Sequence, residues 1–288
     1  MLSGAETETV QQAGQHAEEA FDPGASILHH ILDSPELEVF VPMWKIPLPE
    51  LHVFGQDLSI TKHVVMMWLA AAALLLLARS AVRRINDPVP RGLRNALEAI
   101  VVYLRDEVAR KAIHRGPDRF LGYLLTTFFF ILSCNLLGLV PGAATATGNV
   151  SVTAALALVA FGVIQVGGIR QYGVVRHLKN LVPHGLPLWL VPIMFGLELL
   201  STFIKPFALC IRLFANMMAG HVVILAFVSL IFITGSVFSP LAGWATSPFA
   251  VFFALFVYTL EILVAFLQAY IFTMLTAQFI GMSVQPAH

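Results

Sequence analysis

The chain has 288 residues, of which 58% are hydrophobic and only 12% charged, with zero formal net charge and a mean hydropathy of +0.80. A soluble domain carries about 25% charged residues, so the composition excludes an ordinary water-soluble globule and predicts an all-α polytopic membrane protein. The balanced charge gives no reason to expect nucleic acid, and the absence of C-x-x-C and H-E-x-x-H spacings gives none to expect a metal or other cofactor.

Residues 1–62 hold ten acids and two lysines and are expected to form an extracytoplasmic segment. Its acidic start has no apolar core, so no secretory signal is expected. Within it, residues 5–20 read as disordered or weakly helical. Residues 26–34, with His29 and His30, read as a short amphipathic piece at an interface, and the proline-rich 42–49 as an extended hairpin arm. The first membrane helix is expected over 63–84, with its apolar core at 63–78. Residues 85–119 follow as a basic cytoplasmic region. Inside it Leu93, Leu97, Ile100, Val101, Leu104 and Val108 recur at helical spacing opposite a charged face, which predicts an amphipathic surface helix over 93–112.

The second span is expected over 120–140, ended by Pro141-Gly142, with Asn135 as its one strongly polar interior group. The third is expected over 151–169, before a second basic loop with Arg170, Arg176 and Lys179 and a proline-bearing end near His184. The two cysteines, Cys134 and Cys210, lie in apolar runs and read as small buried hydrophobes. Residues 181–288 are expected to form a long helix pair, about 188–234 and 249–282, separated by a turn region at 236–248. Helices of that length have to tilt or bend in a hydrocarbon layer about 30 Å thick. Thirteen of the seventeen Lys and Arg residues lie in 79–119 and 170–179. The positive-inside rule puts both loops in the cytoplasm, the N-terminus outside and the C-terminus inside.

The most informative stretch is 198–221. Beyond residue 181 the only formally charged side chains are Glu198, Lys205, Arg212 and Glu261. Each such group costs ~2.5–3.5 kcal/mol at membrane depth, so the chain is expected to use them. Glu198, Lys205 and Arg212 are spaced by seven, which returns each to nearly one helix face, and Asn216 lies one turn past Arg212. Glu198 and Lys205 also admit the plainer reading of a helix-face ion pair. Pro206 is expected to kink the helix. Arginine stays protonated in proteins, so Arg212 suits holding off other cations and attracting a partner's carboxylate rather than relaying protons. Glu261 and Gln268 are again seven apart, and Glu261 with His221 forms a titratable pair suited to proton relay. Asn135 and Asn216 also suit bonds between helices.

The run KPFALCIRLFANMMAGH, with Glu198 upstream, EILVAFLQAYIFTMLT near the end, and NLLGLVPG at 135–142, closely resembles subunit a of F-type ATP synthases. ILHHILDS near the start is similar too. The resemblance implies a non-hydrolytic stator subunit that forms two proton half-channels to a rotating c-ring in the bacterial inner membrane. The implied partners are the c-ring, the peripheral-stalk b subunits, the remaining ATP synthase subunits and the lipid bilayer. It implies that Arg212 is the essential arginine between the channels, and that Asn216, Gln268, Glu198 and Asn135 match polar channel positions. His221 and Glu261 fall at positions where many bacterial members carry the acid first and the histidine second; the order here resembles the mitochondrial form. Gly138 stands where some members have an acid. A secondary transporter with a polar midplane substrate site is the rival class, but it expects internal repeats, and no convincing repeat relates the halves. An intramembrane hydrolase would need a nucleophile with a base or metal ligands, and the deep segments offer no such set.

Overall fold

The computed structural model describes residues 36–39, 44–47, 52–53, 56–57, 61–83, 92–114, 116–140, 143, 145–179, 187 and 189–285. The expected elements at 5–20 and 26–34, with His29 and His30, the Pro141-Gly142 stop and His184 lie outside them. Two short antiparallel hairpins come first: β1 (Glu36–Val39) with β2 (Trp44–Pro47), and β3 (His52–Val53) with β4 (Gln56–Asp57). The first is the hairpin arm that the proline-rich stretch predicts.

The membrane part is all α. Helix α1 is Lys62–Arg83. Helix α2 runs Leu93–Tyr103, widens into a π-helical segment at Leu104–Ala109 and closes over Arg110–Ala112. Helices α3 (Pro117–Gly138), α4 (Val150–Tyr172), the short α5 (Val174–Lys179), α6 (Val191–Val237) and α7 (Pro240–Val284) complete the chain. Five of them, α1, α3, α4, α6 and α7, are long and apolar enough to cross a membrane.

Local chemistry sets the ends. Helix α3 starts behind a left-handed Gly116 (φ 67°) with Pro117 at its first position, where the missing N–H costs nothing. Helix α4 starts where Asn149 caps the Ser151 amide (2.8 Å) and stops at Gly173 (φ 77°). Helix α7 begins at Pro240, well before the expected 249. Ser239 Oγ accepts from the Ala242 amide (3.2 Å), and Pro240 at the first position suits a helix start. The expected turn region at 236–248 therefore shrinks to a two-residue break, with Pro248 inside the helix. Helix α6 likewise continues past Pro206 as one helix. The π-helical segment and α5 have no forerunner in the sequence reading.

The described residues form two compact bodies. The larger comprises those of Pro35–Met217 and Ile262–His288. Its core joins Leu104 and Val108 of α2, Leu124, Phe128 and Ile131 of α3, and Ile164 of α4. Leu209 and Leu213 of α6 and Phe272 and Ile280 of α7 complete it. Lipid tails are as apolar as leucine, so association here relies on close van der Waals packing, which small residues permit. Gly281 of α7 lies so near α2 that an added Cβ would overlap the Ala112 carbonyl oxygen. Helix α1 packs on α3 through Met66, Ala70 and Cys134, and His63 Nδ1 donates to the Thr145 carbonyl (3.1 Å). The outer face of α2 is charged, as its spacing predicts. Asp106 bonds Arg105 (2.9 Å) and Arg110 (2.8 Å), and Lys111 pairs with Glu107. The bond from Arg105 holds the Asp106 carboxyl below its ordinary range.

The smaller body, Met218–Glu261, is a helical hairpin made of the last part of α6 and the first part of α7. Phe227 stacks on Phe253 (5.5 Å between centroids). A Cβ at Gly243 would stand 3.0 Å from the Gly235 Cα, so two glycines let the hairpin close at its tip.

Candidate functional site

The smaller body contains one pair of titratable side chains. Glu261, on α7, is 3% exposed; His221, on α6, is partly buried. His221 Nδ1 lies 3.6 Å from Glu261 Oε1. Among the described residues neither carboxyl oxygen has a hydrogen-bond partner. A buried acid without a bond is costly. Gly220 makes the approach possible, since a Cβ there would lie 2.6 Å from Glu261 Oε1. Two residues 40 positions apart in sequence thus form the predicted pair.

The larger body places the amides. Asn216 Nδ2 on α6 donates to Gln268 Oε1 on α7 (2.8 Å), joining two of the predicted positions. Gln268 is 2% exposed, whereas Asn216 is exposed. Asn135 is fully buried and bonds in two directions. It donates through Nδ2 to the Ala265 carbonyl of α7 (3.3 Å) and accepts at Oδ1 from the Thr147 hydroxyl (2.7 Å). It therefore ties α3 to α7 and to the 3-10 turn Ala146–Gly148. Sequence reasoning missed Thr147: the Thr/Gly/Ala loop has no periodicity to mark it.

Arg212 is exposed on α6, among exposed Phe203, Ile204, Phe207 and Ile211. A cation in an apolar helix face cannot be left to lipid, so that face needs protein or water against it. Glu198 is half-buried; the Thr202 hydroxyl bonds its backbone carbonyl. Lys205 turns to the Phe279 ring (5.4 Å to its centroid), and among the described residues no ion pair joins it to Glu198. The plainer helix-face pair is thus not formed. Cys134 and Cys210 are buried, as expected. Cys210 Sγ lies 3.4 Å from the Thr153 hydroxyl, a contact that the sequence does not announce. Among the described residues, no group of three metal-ligating side chains forms.

Five spanning helices with ionisable and amide groups along two of them define a multi-pass membrane protein built to keep polar chemistry inside a bilayer. Residues 64–281 match the family described as ATP synthase A chain. The chain is 47% identical over 262 residues to an ATP synthase subunit a of Chloroherpeton thalassium, covering 89% of this chain and 76% of that one. It is 47% identical over 276 residues to an ATP synthase subunit a 2 of Chlorobaculum tepidum, covering 94% and 76%. With an ATP synthase subunit a of Myxococcus xanthus it shares 47% identity over 290 residues, covering 89% and 92%. The chain belongs to the ATP synthase A chain family.

Proposed function

We propose that this protein is the stationary proton-translocating subunit of the membrane sector of an F-type ATP synthase, working with the other subunits and taking no part in nucleotide chemistry. The observation that carries the proposal is the His221–Glu261 pair: a buried carboxyl whose oxygens have no hydrogen-bond partner among the described residues, with an imidazole at 3.6 Å. Such a carboxyl can take up and release a proton beside an imidazole that can exchange one with it. Asn216 and Gln268 extend the polar positions along α6 and α7.

In the full mechanism, protons enter by one half-channel, neutralise a carboxylate on a rotating c-ring, travel round with it and leave by a second half-channel. Arg212 stands between the two. Its fixed charge opposes a direct leak, and the ionised ring carboxylate passes the exposed guanidinium and pairs with it. The exposed apolar residues around it form the surface that the ring covers. Glu198 contributes to a channel wall, and Asn135 positions α7 through its bond to Ala265. Membrane potential contributes about 2.3 kcal/mol per charge per 100 mV, so several protons are needed per nucleotide. We place the protein in a bacterial inner membrane with its N-terminus outside and C-terminus in the cytoplasm, beside the peripheral-stalk b subunits.

The test is Arg212→Ala in inverted membrane vesicles, read as ATP-driven proton pumping with the assembled complex quantified. Coupled pumping is expected to be lost while the complex remains. Normal coupled pumping would remove Arg212 from the mechanism.

A further inference from the structure

A groove of about 390 Å³ lies between α3 and α4 in the larger body. Its rim carries Arg119, two residues into α3, and Arg170, two residues from the end of α4. Spanning helices that follow one another run in opposite senses, so both arginines belong to the same membrane surface. The floor is a stripe of α4, namely Val159, Gly162, Val163, Val166 and Gly167, with Phe120 of α3 beside it. The spacing of three and four puts these residues on one helix face.

Two physical features identify the occupant. Both arginines are exposed, and among the described residues neither has a hydrogen bond or ion pair. Two exposed guanidinium groups lining one groove match the phosphate of an anionic headgroup in charge and in hydrogen-bond donors. Below the rim the lining is apolar apart from Tyr123 of α3. From Val159 to Arg170 it runs roughly 16 Å, at about 1.5 Å per residue, close to half of a hydrocarbon core about 30 Å thick. That is the depth of one leaflet. A groove of this length and width has room for a hydrocarbon chain laid along it. Gly162 leaves it open, since nothing lies within 4 Å of a Cβ placed there.

We propose that this groove binds one anionic phospholipid, its phosphate held by Arg119 and Arg170 and one acyl chain laid along the α4 stripe. The site anchors the α3–α4 pair to the lipid of its own leaflet and is independent of the proton path.

The experiment uses the assembled ATP synthase carrying the full chain. The complex is equilibrated with phosphatidylglycerol bearing a photoreactive acyl chain and irradiated. Adducts on the 159–170 peptide are then counted by mass spectrometry, with adducts at the exposed Leu75 and Leu76 of α1 as internal reference. Labelling of 159–170 is expected to exceed the reference and to be displaced by unlabelled phosphatidylglycerol but not by phosphatidylcholine. Combined R119Q and R170Q should lower it about tenfold at unchanged reference labelling. G162L keeps both charges, has open space at its Cβ and should block the chain path, lowering it as well. Equal displacement by phosphatidylcholine, undiminished labelling in either variant, or a neighbouring subunit cross-linked in place of lipid would overturn the proposal.

Discussion

Gly220→Ala tests whether the spacing of Glu261 and His221 matters. The new Cβ would stand 2.6 Å from Glu261 Oε1, 2.7 Å from Cδ and 3.1 Å from Cγ. Ordinary contact begins near 3.4 Å, so the carboxyl has to retreat by about 0.8 Å. The clashing atoms are the end of a side chain rather than backbone, so the helices can stay while the carboxyl turns. Overpacking of this kind costs about 1–3 kcal/mol, part of it as an off-rotamer side chain. The retreat also changes the 3.6 Å approach to His221. If about 1 kcal/mol of that falls on the proton-transfer step, ATP-driven pumping drops roughly fivefold. Pumping is read by quenching of a pH-sensitive dye in inverted vesicles, normalised to assembled complex. Adding Glu261→Asp shortens the side chain by one methylene and opens the space again, so the double variant should pump better than Gly220→Ala alone. Wild-type pumping by Gly220→Ala, or no recovery in the double variant, would refute the reasoning.

The remaining predictions concern the pair and its scaffold. Exchanging the residues, with Glu at 221 and His at 261, should retain more proton transport than either single substitution, because the groups still face each other; a double variant no better than the singles would dissociate the pair from transport. Asn135→Ala removes bonds to Ala265 and Thr147 and leaves the Thr147 hydroxyl buried and unpaired, which should destabilise the protein by about 2–3 kcal/mol, measured as earlier thermal unfolding in detergent. Gly281→Val collides with the Ala112 backbone carbonyl, which cannot swing aside, so its abundance in membranes by immunoblot should fall sharply, while Gly162→Ala, with open space at its Cβ, should match wild type.

The order of elements was legible because it depends on local pattern. Apolar length announces a spanning helix, and an apolar stripe with charges opposite announces α2. Boundaries were less legible where one residue outweighed the composition. Thr, Ser, Gly and Pro around 234–248 read as a turn, yet Ser239 and Pro240 together start α7, and the turn is only the break before them. The π-helical segment in α2 departs from the 3.6 period by one local insertion, which averaged periodicity does not resolve.

By itself the sequence determined that this chain lives in a bilayer, where its five spans lie, which few polar groups they carry, and which family its arginine-centred run resembles. Those properties follow from single residues and their near neighbours. The tertiary structure decided who meets whom: His221 with Glu261, Asn216 with Gln268, Asn135 with Ala265 and Thr147, and Lys205 with Phe279 rather than Glu198. Residues 12 to 130 positions apart come together only through the way helices and their loops pack. That packing is set by small residues such as Gly220 and Gly281, whose importance lies in the space they leave for a distant neighbour.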